Sequence, residues 1–274
     1  MNAGAKPPGH RARKRFGQNF LHDQRVVEQI VRAIGPQPDD QLLEIGPGQG
    51  ALTLPLLRAA GRLHAIEMDR DLVAPLAAQA AQAAEFGELA LRQGDALQAD
   101  LGQFATEAAS LRVVGNLPYN ISSPLIFHLL EQRELIRDMH FMLQRELVDR
   151  MAAPPGSRIY GRLSVMVQYH CQVDRLFTVP PGAFRPAPKV ESAVVRLLPL
   201  RPQPLRAVDE AVFSRIVATA FGQRRKMLRR SLAGLLDETD MRASGVDPSA
   251  RPEQLGVAAF VALADALAAF MSPK

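Results

Sequence analysis

The stretch Leu42-Leu43-Glu44-Ile45-Gly46-Pro47-Gly48-Gln49-Gly50 reads as a short apolar strand that ends in a glycine-rich turn, with helical sequence from Ala51 onward. Glycines at 46, 48 and 50 let the backbone pass close to a ligand, as the first strand-to-helix turn does in nucleotide-binding α/β sheets. Such a turn is weak evidence alone, but the strand before it and the helix after it are the context it requires. Spacing then selects among ligands. The pattern is G-x-G-x-G, not the dinucleotide G-x-G-x-x-G, and Pro47 removes a backbone donor that a pyrophosphate cradle would use. A ligand without phosphates is expected.

Outward from this turn the chain alternates. A helix over 24–34, with Val27, Ile30, Val31 and Ile34 at helical spacing, comes first. Apolar runs at 42–45, 63–66, 89–93, 111–115 and 140–143 are each followed by helical sequence, including the Ala-rich helix 70–84. Short buried strands alternating with helices imply a parallel sheet covered on both faces. Two further strands, 169–179 and 192–200, are expected to form an antiparallel edge. Pro199, Pro202 and Pro204 then mark a linker, after which only helical patterns occur, at about 208–222, 224–236 and 255–271. The expected fold is α/β, a Rossmann-like, mostly parallel sheet with a small C-terminal all-α domain. The expected division is a flexible basic tail at 1–18, a catalytic domain at 19–202 and a helical domain at 203–274. There are no internal repeats.

At 274 residues and 47% hydrophobic content, the chain can bury a substantial core. No run of about 18 apolar residues appears, so no membrane span is expected, and no apolar signal core follows the basic start. The single cysteine, Cys171, leaves no disulfide framework or thiolate metal cluster, and a cytoplasmic location is expected. The net charge of +5 is concentrated: Lys6, Arg11, Arg13, Lys14 and Arg15 precede Asn19 without an acid among them. A second cluster, Arg224-Arg225-Lys226 followed by Arg229-Arg230, lies on a helical pattern near the C-terminus. One such cluster is often a solvated face; two point to a phosphate-rich partner.

Acids at strand ends refine the ligand. Glu67 closes the second strand of the series, 21 residues after Gly46, where a carboxylate can take both hydroxyls of a ribose. Gly94-Asp95-Ala96 follows the third, placing Asp95 to accept an adenine amino group; Asp69 and Asp71 read as helix-start residues. These acids without a phosphate cradle describe a site for S-adenosylmethionine, whose sulfonium carries the activated methyl and needs alignment, not a metal. The fourth strand runs into Asn116-Leu117-Pro118-Tyr119. A strand followed by a Pro turn explains these residues without chemistry. Beside a methyl donor site they suit a planar amine: Asn116 and the Leu117 carbonyl accept its N–H groups while positive charge grows on nitrogen, and Tyr119 stacks on the base.

Four segments together carry a resemblance: Phe16-Gly17-Gln18-Asn19-Phe20-Leu21, Glu44 to Gly50, Asn116-Leu117-Pro118-Tyr119-Asn120-Ile121-Ser122, and Phe184-Arg185-Pro186-Ala187-Pro188-Lys189-Val190. With Ala220 to Lys226 and Val246-Asp247-Pro248, they resemble the ribosomal RNA adenine dimethyltransferases, and best the bacterial small-subunit branch. The resemblance implies a Rossmann-like methyltransferase domain with a helical domain that binds RNA or the ribosome. It implies S-adenosylmethionine contacts at Asn19, Leu21, Gly46, Glu67, Asp95 and Asn116, with no metal. It implies an amine-holding set of Asn116, Leu117 and Tyr119, and a ring at Phe184 that stacks on a flipped adenine. The implied reaction is N6,N6-dimethylation of two adjacent adenosines in the 3'-terminal hairpin loop of 16S rRNA within the small ribosomal subunit, by a monomer, with a role in subunit biogenesis. Alternatives are an enzyme acting on large-subunit (23S) rRNA, which shares the donor and target motifs, and a non-catalytic RNA-binding or assembly factor.

Overall fold

The computed structural model describes residues 18–271, so the basic tail to Arg15, with Phe16 and Gly17 of the first motif, lies outside the described residues. Two compact units emerge: one from the residues up to Arg145 together with Arg175–Leu197, the other from Glu146–Asp174 together with the residues from Leu198 onward.

The first unit is built on β1 (Phe20–Leu21), α1 (Gln24–Ile34), β2 (Gln41–Ile45), α2 (Thr53–Ala60), β3 (Arg62–Glu67), α3 (Arg70–Gln82), β4 (Glu88–Gln93), β5 (Leu111–Asn116), α4 (Ser122–Glu131) and β6 (Ile136–Gln144). Later come β7 (Cys171–Val179), β8 (Phe184–Arg185) and β9 (Ser192–Pro199). The sheet order is β4-β3-β2-β5-β6-β9-β7. From β4 to β6 the neighbours run parallel, and β9 lies antiparallel to β6, from Met139 opposite Leu197 to Gln144 opposite Ser192. This is the expected mostly parallel sheet with an antiparallel edge. The chain leaves β2 for β3 and β4 on one side, then crosses to β5 on the other, so the strand order reverses between β2 and β5. In such sheets ligands bind at that crevice, outside the carboxyl ends of the strands. The approach there is close: a Cβ on Gly115 would lie 2.5 Å from the Ile45 carbonyl oxygen.

The opposite end of β5 is sealed by charge. Arg112 is buried, its Nε 3.0 Å from Asp138 and one terminal nitrogen 2.6 Å from Asp40, while the other donates to the Ile34 carbonyl at the end of α1. His140 Nδ1 stands 3.3 Å from Asp138, and Arg137 holds the second oxygen of Asp40. Burial alone would raise the Asp138 carboxyl, but the neighbouring His140 ring and the Arg112 charge outweigh it and leave the group below its usual range.

The second unit holds most of α5 (Arg145–Met151), and α6 (Arg162–His170), α7 (Glu210–Gly222), α8 (Leu228–Ser231), α9 (Glu238–Ala243) and α10 (Val257–Met271). Its core places Phe213, Ile216, Val217 and Ala220 of α7 with Phe260, Leu263 and Ala264 of α10. The helical domain read from the Pro-rich linker begins at 203; α6 is grouped with this unit as well, since Tyr169 stacks on Phe213 with centroids 4.1 Å apart. The same packing moves a boundary. Tyr169 and His170, read as strand, close α6, and the strand starts at Cys171. The helix read at 224–236 shortens to Leu228–Ser231 because the N–H groups of Leu228 and Arg229 go to the carbonyls of Ala250 and Pro248. No helix among the described residues is long and apolar enough to cross a membrane.

Candidate active site

A cleft opens at the carboxyl ends of β2, β3, β4 and β5. Its floor is the glycine turn. Gly46, Gly48 and Gly50 have φ of +66°, +59° and +83°, in the left-handed region that side chains disfavour. Space forbids side chains too: a Cβ on Gly50 would stand 2.7 Å from Leu76, and one on Gly48 would press the Phe20 ring at 3.3 Å. The Gly48 N–H donates to Glu67 Oε2 at 3.0 Å, and the Asp69 N–H donates to Glu67 Oε1 at 2.8 Å. Two backbone donors therefore set the plane of this carboxylate at the lip of the cleft. Asp95 caps a short 3-10 turn, accepting the Leu97 N–H on Oδ1 at 2.9 Å. Asp69 caps α3, accepting from Asp71 N, which agrees with its reading as a helix-start residue.

The charge in this cleft is one-sided. Among the described residues Glu44, Glu67 and Asp95 line it, and no lysine or arginine does. Glu44 is 2% exposed, with the Thr53 hydroxyl donating to it at 2.7 Å. Burial, against that hydrogen bond and aided by repulsion from Glu67, pushes its carboxyl up to about 7. Glu67 is also raised by burial, in opposition to its two backbone donors. Buried carboxylates without a cation partner are costly, so the cleft is matched to a ligand that brings positive charge.

At the end of β5 the Asn116 Nδ2 donates to the Asn19 carbonyl at 3.1 Å, which leaves Oδ1 as the atom that accepts. The Pro118 carbonyl is consumed by the Ile121 N–H and the Ser122 hydroxyl, a turn that leaves the Leu117 carbonyl outside its own hydrogen bonds. Tyr119 shares a 2.7 Å hydrogen bond with the buried Ser192 at the start of β9, and burial raises its phenol. Asn19, Leu21, Gly46, Glu67, Asp95, Asn116, Leu117 and Tyr119 all line this one cleft.

Phe184 does not. The antiparallel pair β1–β8 sets it opposite Leu21, and it is 2% exposed within the hydrophobic core beside Ile30, Val179 and Val194. This is the position of an apolar plug, the reading its residues support without the motif; stacking on a base would require that the core release the ring. Sequence reasoning also passed over Glu44, Met68 and Leu97, all in the cleft lining. Glu44 carried a legible signal, a charge in the middle of a buried strand. Met68 and Leu97 carried none, since an apolar residue after a strand is ordinary; here they widen the apolar wall, with Met68 half-exposed.

A cleft at the topological switch point of a β4-β3-β2-β5-β6-β9-β7 sheet, acidic and without a phosphate cradle, defines a Rossmann-like class I methyltransferase domain. The profile of the ribosomal RNA adenine dimethylase family matches residues 9–269, and the chain belongs to that family. It is 60% identical over 258 residues to the ribosomal RNA small subunit methyltransferase A of Pseudomonas syringae pv. tomato, covering 94% of this chain and 95% of the relative. It is 57% identical over 267 residues to the protein of the same name from Chromohalobacter salexigens, covering 96% and 94%. Among solved structures, a dimethyladenosine transferase from Plasmodium falciparum superposes with a TM-score of 0.75 at 26% identity, covering 89% of this chain and 95% of that one. The 23S rRNA methyltransferase ErmE shares the fold, with a TM-score of 0.71 at 24% identity and coverage of 91% and 100%.

Proposed function

We propose that this chain transfers methyl groups from S-adenosylmethionine to N6 of adenosines in small-subunit rRNA. In this reading two adjacent adenosines of the 3'-terminal hairpin loop in 16S rRNA each receive two methyls, in the cytoplasm, during subunit biogenesis. The observation that carries the reading is a cleft that gathers Glu44, Glu67 and Asp95, with no cation beside them among the described residues, and opens onto the acceptors of Asn116 and Leu117. Family membership supports it independently.

The residues fit the donor. The glycine turn leaves room that a Cβ would fill, Glu67 offers two oriented oxygens for ribose hydroxyls, Asp95 faces the position of a purine amine, and Glu44 and Glu67 favour positive charge. When bound, this donor supplies an electrophilic methyl and a neutral leaving thioether, so alignment is what the protein must contribute. Asn116 Oδ1 and the Leu117 carbonyl then hold the N–H groups of the target amine. Because the nitrogen becomes more positive as its new bond forms, both hydrogen bonds strengthen in the transition state. After the first methyl one N–H remains, so the second transfer uses a single acceptor. Tyr119, pinned by Ser192, presents its ring to the base. An unpaired loop suits this site, since an unstacked base costs less to extrude.

The test is incubation of unmethylated small subunits with labelled S-adenosylmethionine, followed by nucleoside analysis. Dimethyladenosine at the paired loop positions is expected, and Asn116→Ala should retain subunit binding while losing about 10²–10³-fold in turnover. Label in large-subunit RNA alone would replace the substrate assignment, and a normal rate for Asn116→Ala would remove the amine-holding role.

A further inference from the structure

The basic cluster after α7 is not one set of equivalent charges. Arg224 faces its own unit: one terminal nitrogen donates to the Arg158 carbonyl at 2.6 Å, and Nε stands 3.9 Å from Glu253 Oε2, an ion pair without a hydrogen bond. Glu253 in turn accepts the Gly156 N–H on its carbonyl at 2.6 Å. Tyr160, buried in the same loop, meets Phe221 edge-on at the end of α7. Two segments more than 60 residues apart in sequence, the loop at 154–161 and the basic segment at 222–230, are thereby fastened side by side. Both sides expose cations outward: Arg158 on the loop with Arg162 at the start of α6 just after it, and Arg225, Lys226 and Arg230 on the other, with Arg229 held by Glu238 at 3.5 Å. Between the charges, Ile159 and Met227 are 42% and 39% exposed. A run of charge on one helix is usually a solvated face, whereas cations on two distant segments that a half-exposed strut holds together form a built surface.

We propose that Arg224 is a positioning residue and not an RNA contact, and that the strut it forms makes Arg158 and Arg162 a second cationic rail beside Arg225 and Lys226 for the phosphate backbone of rRNA. The proposal rests on the reading that this chain acts on RNA. Phosphates answer to point charges and to the guanidinium fork alike, but only arginine serves both the Arg158 carbonyl and the Glu253 carboxylate from one planar group. Lysine at 224 preserves the charge and loses the strut.

Salt dependence separates the roles. Each phosphate contact contributes about one unit to the slope of log K against log salt. Binding of the full chain to unmethylated small subunits is measured from low to moderate salt by filter retention. Arg225→Ala, Arg158→Ala and Arg162→Ala are each expected to lower the slope by about one unit. Arg224→Lys, with no change in charge, is expected to lower it by about two, because both rail residues are lost. In the Arg158→Ala/Arg162→Ala background, Arg224→Lys should then have no further effect. A wild-type slope for Arg224→Lys would show a direct phosphate contact and overturn the strut. Unchanged slopes for the exposed Arg158→Ala and Arg162→Ala variants would overturn the rail without any question of folding. Absence of salt-dependent binding by the wild-type chain would instead remove the RNA reading beneath both.

Discussion

The two ends of β5 carry similar charges and treat them oppositely. At the Arg112 end, two buried carboxylates, Asp40 and Asp138, are each paired to a guanidinium, and Asp138 sits below its usual range. Four residues along the same strand the chain reaches Asn116, where Glu44 and Glu67 meet no cation among the described residues and both sit above theirs. Burial acts on both pairs in the same direction; what differs is the partner. The first end is closed by its own ion pairs, while the second turns its acids to the cleft. On the proposed function these acids, more than the glycines alone, would mark the donor site.

The comparison breaks most forcefully at the closed end. Arg112→Ala strands Asp138, leaves Asp40 to Arg137 alone and frees the carbonyl at the end of α1, and is expected to cost about 3–5 kcal/mol in urea unfolding. A cost below about 1 kcal/mol would mean that the end is not sealed by this network.

At the open end the sign reverses. Glu44 has a folded value of about 7 against an ordinary 4.5. The folded chain thus keeps a proton that the unfolded chain releases, and stability present below 4.5 is lost as pH rises through 7. Glu67 acts in the same direction. Glu44→Gln should remove roughly 3 kcal/mol of that decline in the ligand-free protein at most, read from melting curves at pH 5 and pH 8. Donor affinity should rise with pH in the wild type, because a cation favours the ionised carboxylate, and calorimetry should find this rise flattened in the variant. A decline as steep as in the wild type would deny Glu44 its role.

A smaller effect is expected where Glu67 is neutralised. Glu67→Gln keeps the shape but loses the charge and one of the two backbone acceptors. Donor affinity should fall by about 10–100-fold, equivalent to the loss of a hydrogen bond to a charged group, with turnover at saturating donor nearly unchanged. Smallest is Tyr119→Phe, which removes the bond to Ser192. About 1 kcal/mol of stability should be lost, and a larger drop in turnover than in stability would show that the bond aims the ring.

Much of the fold was legible. Strands 42–45, 63–66 and 111–115 stood out because parallel strands buried on both faces need continuous apolar runs, and with 89–93, an edge strand that buries no residue fully, all lie within observed strands. The residues that the fold gathers in one cleft were legible for a related reason: a glycine turn and an acid at the next strand end have local signatures. The helix at 224–236 misread because its first N–H groups find partners 20 residues away, which no window reveals. The burial of Phe184 was not legible for another reason, since a motif states that a ring is wanted and not which face of a short β1–β8 pair it occupies.

What the sequence alone determined is therefore the class of architecture and the chemistry that each strand end offers, because apolar period, glycine spacing and side-chain type act over a few residues. Only the tertiary structure decided which charges are paired. Arg112 with Asp40 and Asp138, Glu44 held by Thr53 beside the cleft, Asn116 turned by the Asn19 carbonyl, and Arg224 facing Glu253 each depend on groups that only folding brings together. Electrostatic energy follows distance and burial, and those exist only once the chain has folded.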